Sequence, residues 1–403
     1  MNKLKEILKK SKYELCLFAV LSMNFLLFFT KDDLISDIMY PMHLLDIKIG
    51  LISRTLVGSI TGLLWKNPTK GNVFFLHLII VIISFALTAV FLGRCIKGAE
   101  EKNKKPLFII SLIVAVFPYG FTTFINLFEL LDIYWLLTLV LILLSAENKK
   151  SWLLIPVFLF TGPWVHYSFV FAFMPVIYIL FFNKCIKEKT RGTYIFTSVI
   201  FAVSVGTTLY FFLTQRVHDV TAFEEYVKYI VDKAGDPIKY FEEYAGISLR
   251  PYEQLHKLNE FSHIPEKYPG ALKELIGYMT YAVIDTSPVA ILWDMILVSP
   301  AVAFFAVIWK KAMKAVQDKK EKFLYLLCLI TPLVQLASCF LSSDTSRWLS
   351  LLVISQLFLL AIFIKDRADA VSKVLSGVCE VLLKHKAVLL FAFLIYSSIV
   401  FVW

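Results

Sequence analysis

Four stretches of this 403-residue chain place acids, arginines and a histidine where they could do chemistry. The first is 31–72, where Asp32, Asp33 and Asp37 precede Tyr40-Pro41-Met42-His43-Leu44-Leu45-Asp46. Asp46, Gly50, Arg54 and Gly58 then recur every fourth residue, which on one helix would put them on one face. Glycines a turn on either side of Arg54 would let backbone or a ligand come close to its guanidinium. Asp46 or Asp37 could take a proton from an attacking hydroxyl. The plainer reading is an interfacial helix with an Asp46–Arg54 pair and glycines for packing.

The second stretch opens a later apolar run. Asn126, Glu129 and Asp132, spaced by three, would line one side of a helix mouth. One acid there is ordinary capping by the helix dipole, but two exceed what capping needs. The third is His166, in Pro163-Trp164-Val165-His166-Tyr167. The fourth is Ser342-Ser343-Asp344-Thr345-Ser346-Arg347-Trp348. Asp344 could simply cap the following helix, with Arg347 pairing to it. An arginine on the first turn of a membrane helix is also well placed to bind phosphate, because its planar fork matches phosphate oxygens.

What must position these residues is a membrane bundle. The chain is 58% hydrophobic and 15% aromatic, with 36 Phe and only 18% charged residues. That composition excludes a soluble enzyme, a disordered regulator and a disulfide-stapled secreted domain. A helix needs about 20 apolar residues to cross the hydrocarbon core. Such runs occur at 15–29, 73–93, 107–125, 129–146, 193–213, 289–309, 323–341, 348–364 and 387–403. Between Lys150 and Lys184 the apolar run is too long for one span and too short for two. It reads as two short helices, 152–162 and 166–183, with a tip at 163–166. The expected fold is therefore an all-α integral membrane protein with about 11 membrane segments, including this short-helix hairpin.

Basic residues gather at 1–14, 94–106, 147–151, 184–192, 310–322 and 365–386, while acids predominate in the remaining loops. Lys and Arg are retained on the cytoplasmic side, so the N-terminus is expected inside and the C-terminus outside. The net charge of +10 is then an orientation signal, and nucleic acid is not needed to explain it. Residues 1–403 read as a single polytopic domain, with 31–72 an outer amphipathic or re-entrant loop and 214–288 a large outer loop. Met1–Thr30 reads as an uncleaved signal-anchor. Asp294 lies within an apolar run and should face protein. The six cysteines have no metal-type spacing, and no dinucleotide, P-loop or nucleophile-elbow motif occurs. No cofactor is expected, with a divalent metal left open.

Tyr40-Pro41…Asp46-x-x-x-Gly50-x-x-x-Arg54, His166-Tyr167-Ser168 and Ser343-Asp344-x-x-Arg347-Trp348 resemble stretches of bacterial polytopic surface-polysaccharide proteins. These are the O-antigen and exopolysaccharide polymerases, similar in architecture to the C-superfamily membrane glycosyltransferases. The resemblance implies polymerisation or transfer of undecaprenyl-linked saccharides at the outer face of the bacterial plasma membrane, with polysaccharide-assembly partners. It implies that Arg54 and Arg347 grip the lipid phosphate and that an acid of the first outer loop, Asp37 or Asp46, is catalytic. His166 and Asp344 would line the site, with Asn126, Glu129 and Asp132 contributing to substrate binding. The alternative is a transporter or flippase for lipid-linked glycans. It predicts inverted repeats and charges in the middle of spans.

Overall fold

The structure is a computed structural model and describes residues 10–28, 35–37, 39–126, 128–214, 220–239, 288–339 and 345–385. Every regular element among them is helical. In chain order they are α1 (Lys12–Phe28), α2 (Thr55–Leu64), α3 (Lys70–Gly98), α4 (Glu101–Val116), α5 (Thr123–Asn126) and α6 (Asp132–Ser145). Then come α7 (Ile155–Val165), α8 (Phe169–Ala172), α9 (Met174–Glu188), α10 (Arg191–Leu213) and α11 (Val220–Lys233). The last four are α12 (Pro288–Ala315), α13 (Lys319–Cys339), α14 (Thr345–Lys365) and α15 (Asp369–Lys384). The expected span at 387–403 and most of the expected outer loop 214–288 lie outside the described residues.

Four helices are long and apolar enough to cross a membrane: Lys70–Gly98, Arg191–Leu213, Ile291–Ala315 and Thr345–Lys365. They occupy two different environments. α14 is buried among its neighbours from Trp348 to Ile364, as a helix apolar all round must be when it sits at the centre of a bundle. α10 instead leaves Ile195, Val199, Phe201, Val205, Leu209 and Leu213 uncovered. An apolar face of that length suits hydrocarbon rather than water.

α7 and α9 have 11 and 15 residues, so each rises only about 16–22 Å. They start and finish at the same end of the bundle. Lys149, just before α7, pairs with Glu188 at the end of α9 at 2.6 Å. The turn between them leaves the carbonyl of Ala172 outside any helix ladder. That oxygen accepts from Ser355 Oγ on α14 and Gln335 Nε2 on α13, each at 3.1 Å. Side chains of two neighbouring helices thus satisfy a break that lipid could not.

Charges tie that same end together. Glu147 after α6 meets Arg94 of α3 at 2.8 Å and also Lys365 of α14. Glu14 of α1 meets Lys97 of α3, and Lys187 of α9 meets Asp366 at 3.2 Å. The ends of α3, α6, α9 and α14 therefore share one face of the bundle. The starts of α6 and α14 share the other.

Two expectations need correction. The run 107–125 is not one helix: α4 stops at Val116, and Phe117–Thr122 turns back. Gly120 permits it, since any Cβ there would overlap the Val114 carbonyl oxygen. Nor do Asp46, Gly50, Arg54 and Gly58 share a helical face. The Asp46 side chain accepts from the backbone N–H of Lys48 at 3.0 Å and caps a short 3-10 turn, Ile47–Ile49. Gly50 then takes φ 128° and Arg54 φ 75°, so the α-helix begins only at Thr55. A local side-chain bond has outcompeted the helix that periodicity suggested.

Candidate functional site

The site forms where the α7–α8 turn meets the segment leading into α2. Arg54 is left-handed and is fixed there by its surroundings. Its backbone N–H donates to Trp164 O at 2.8 Å. Ser53 Oγ accepts from the Tyr167 N–H at 3.1 Å, and Trp164 Nε1 donates to Thr55 Oγ1 at 2.9 Å. These bonds make the unfavourable backbone of Arg54 a consequence of packing against the turn.

Arg54 so placed is 5% exposed. Its Nη2 donates to His166 Nε2 at 2.8 Å, and the guanidinium centre lies 5.8 Å from the Tyr167 ring. Arginine does not give up its proton, and the Ser168 N–H meets the other ring nitrogen, Nδ1, at 3.2 Å, so both nitrogens face donors and the ring is a neutral imidazole. Nη1 is buried and has no hydrogen-bond partner among the described residues. No carboxylate among them pairs with Arg54. A buried cation held only by a neutral ring is costly unless an anion completes it.

Arg347 lies in the first turn of α14. Its Nε lies 3.4 Å from Asp132 Oδ2, with both side chains largely buried, and its guanidinium lies 5.1 Å from the Trp348 ring. Trp135 links the two halves, with ring centroids 5.7 Å from His166 and 6.3 Å from Trp348. Arg54 and Arg347 both act electrostatically on His166. α6 begins at Asp132 and α14 at Thr345, so two helix N-termini bring their positive dipole ends to this cluster.

Four sequence-predicted residues therefore come together: Arg54, His166, Arg347 and Asp132. The others do not join them. Glu129 accepts from Ser36 through the backbone N–H at 3.0 Å and through the hydroxyl, and its carbonyl meets His43 Nε2 at 2.9 Å. Asp46 is committed to α11. Its Oδ2 accepts from Lys233 Nζ at 2.6 Å and from Tyr229 OH at 2.8 Å. Burial and the Asp46 carboxylate push the Tyr229 phenol up to about 12. Asp37 pairs with Lys70 and with Lys239, the latter at 3.0 Å, and the two ammonium groups hold its carboxyl below the ordinary range. Asp344 and the side chain of Asn126 lie outside the described residues.

Sequence reasoning passed over Trp135, Lys233 and Tyr229. Trp135 lies one turn beyond Asp132 on the same helix side, a spacing that could have flagged it. Tyr226, Tyr229 and Lys233 follow helical spacing along an amphipathic segment, so their shared face was visible. Its target was not. Asp294 does face protein, accepting from Tyr119 OH at 2.6 Å.

Among the described residues no group of three His, Cys, Asp or Glu side chains is placed to hold a metal ion. The arrangement suits an anion instead: two guanidiniums, two helix N-termini and a neutral imidazole, with one carboxylate balancing one arginine. Comparison of the chain with protein-family models, curated proteins and solved structures finds no match.

Proposed function

We propose that the chain is a membrane glycosyltransferase or polysaccharide polymerase acting on undecaprenyl-phosphate-linked saccharides at the outer face of the bacterial plasma membrane. The observation that carries this reading is Arg54, a buried cation without a counter-ion among the described residues, in the same aromatic cluster as Arg347. Two guanidiniums in a water-poor site match the charge and the forked geometry of a lipid phosphate. His166 is neutral where it meets Arg54, and Asp132 is the carboxylate of the cluster. One of these two takes the proton of the acceptor hydroxyl as the sugar leaves its phosphate. Asp46 and Asp37, each held by lysines, serve to fix the outer segments.

The topology belongs to the same proposal: eleven membrane segments, the N-terminus inside and the C-terminus outside. The ion-paired end carrying Arg94, Lys97, Lys149, Lys187 and Lys365 is the cytoplasmic one, and the arginine cluster opens outward. Charge gathered at one mouth favours transfer over a transporter or flippase, which needs charged residues along its path.

The test is reconstituted full-length protein supplied with lipid-linked oligosaccharide of the host, scored for longer chains. Arg54→Gln should abolish elongation while the protein still inserts and remains folded. Elongation at the wild-type rate in that variant would defeat the site assignment.

A further inference from the structure

Seven of the eight tryptophans lie among the described residues. Trp152 Nε1 donates to Ala146 O at 3.2 Å, Trp164 Nε1 to Thr55 Oγ1 at 2.9 Å and Trp309 Nε1 to Gln356 Oε1 at 2.6 Å. Trp65 and Trp293 are partly exposed, so water can serve their N–H groups. Trp135 and Trp348 differ from all of these. They are 1% and 3% exposed, and neither Nε1 has an acceptor among the described residues. Buried indole N–H groups ordinarily find a partner, and leaving one unpaired costs free energy.

The two exceptions are neighbours, and both belong to the arginine cluster. A chain of contacts runs from Arg54 to His166 at 2.8 Å, from the His166 ring to Trp135 at 5.7 Å and from Trp135 to Trp348 at 6.3 Å. It ends at Arg347, 5.1 Å from the Trp348 ring. The third orphan donor, Arg54 Nη1, sits at the other end of the same chain. Indole and guanidinium nitrogens only donate. Three buried donors left open among the described residues in one neighbourhood suit a ligand rich in acceptor oxygens.

We propose that Trp135 and Trp348 are anion-binding residues, whose indole N–H groups donate to the oxygens of a phosphoryl group that Arg54 and Arg347 neutralise. The proposal rests on the reading of this cluster as a phosphate site and adds its specificity. The ligand is an ionised phosphate or diphosphate, bound without its water. A neutral hydroxyl-rich ligand would leave Arg54 uncompensated. The indoles have no charge, so they select for acceptor oxygens without adding to long-range attraction. Their replacement should weaken binding without changing its salt dependence, whereas loss of Arg54 should change both.

The experiment uses the full-length protein in detergent with its eight tryptophans labelled at the indole nitrogen. Inorganic phosphate, inorganic diphosphate and farnesyl diphosphate are titrated in separate arms. Two indole resonances should move downfield on saturation, and these should be the ones missing from Trp135→Phe and Trp348→Phe. Each variant should bind roughly 10- to 100-fold more weakly, the range for a lost hydrogen bond to a charged group. A response to the inorganic ions alone identifies a free anion as the ligand. A response to the prenyl diphosphate at lower concentration identifies a lipid headgroup. Either one supports the assignment.

The wild-type titration is decisive even if a variant does not fold. If none of the eight resonances moves although a ligand binds, ordered water satisfies the indoles and the proposal fails. Binding that Arg54→Gln abolishes but both Trp→Phe variants retain also overturns it, while leaving the arginine site intact. Binding in none of the arms removes both. Indole shifts in a protein that elongates no glycan uphold the anion site and defeat the glycosyltransferase reading alone.

Discussion

Lys233 and Asp46, 187 positions apart, meet at 2.6 Å with 7% and 10% of their side chains exposed. Tyr229 supplies a second donor to the same oxygen, and the Asp46 backbone N–H and carbonyl both meet Tyr226 OH. The pair pins α11 onto the segment that leads to Arg54. Removing one partner leaves a buried charge unpaired, which typically costs about 3–5 kcal/mol. Lys233→Met should therefore lower the thermal midpoint sharply, and the double variant Asp46→Leu/Lys233→Met should recover much of the loss. A thermal-unfolding double-mutant cycle checks this. Additive losses would mean that the two groups act independently.

Asp37 couples the same elements by a more exposed route. Lys70 and Lys239 hold its carboxyl below its ordinary value of 3.8. A carboxyl depressed on folding contributes stability that is complete above its unfolded pKa and is lost as pH falls through the folded one. The contribution should be intact at neutral pH and disappear below about pH 4. Asp37→Asn should flatten the acid limb of the stability–pH profile and leave its neutral and alkaline parts parallel to wild type. Unfolding midpoints across roughly pH 3–7 would show it.

How far the sequence could be read follows from these contacts. Membrane helices were legible because long apolar runs have few other uses, and the short α7–α9 excursion followed from counting residues against bilayer thickness. Arg54, His166, Arg347 and Asp132 were legible as types costly to place near lipid. The pairings of Asp46 and Asp37 were not, because both partners of Asp37 and the key partner of Asp46 are lysines elsewhere in the chain. Lys233 lies far along the sequence, on an amphipathic segment whose target the sequence does not name. The four-residue recurrence from Asp46 to Gly58 misled for a local reason. Asp46 caps its own turn, and Gly50 and Arg54 take positive φ, so periodicity passes through a stretch that is not helical.

Gly58 serves packing, the plainer of the two readings of its spacing. It lies in α2 beneath the backbone of Leu44 and Leu45, and a Cβ there would overlap the Leu45 carbonyl oxygen. Backbone cannot swing aside as a side chain can, so Gly58→Ala must push the 44–46 segment away from α2. The cost should be about 1–3 kcal/mol, typical of overpacking. Displacing Asp46 should also loosen α11. Gly206, in the middle of α10, is the control, since a methyl group added there would meet nothing within 4 Å. Gly206→Ala should be neutral or stabilising by about 0.5–1 kcal/mol through helix propensity. Thermal unfolding of the two variants side by side should give opposite signs.

The α7–α9 excursion decides which loops share a side of the membrane. Lys149 and Glu188 are joined at 2.6 Å, so the chain enters and leaves α7–α9 at one end of the bundle. If that end is cytoplasmic, Lys150 and Arg191 lie on the same side of the membrane, and Lys66, exposed between α2 and α3, lies on the other. Single cysteines placed at 66, 150 and 191 in a background lacking the native six can report this with a membrane-impermeant maleimide. Intact cells should label position 66 alone, and permeabilised cells all three. Labelling at 191 but not at 150 in intact cells would make 152–183 a single crossing. It would invert every segment downstream and move Arg347 to the opposite face from Arg54. Their shared cluster with His166 makes that outcome incompatible with the fold, so the same experiment tests the topology and the site together.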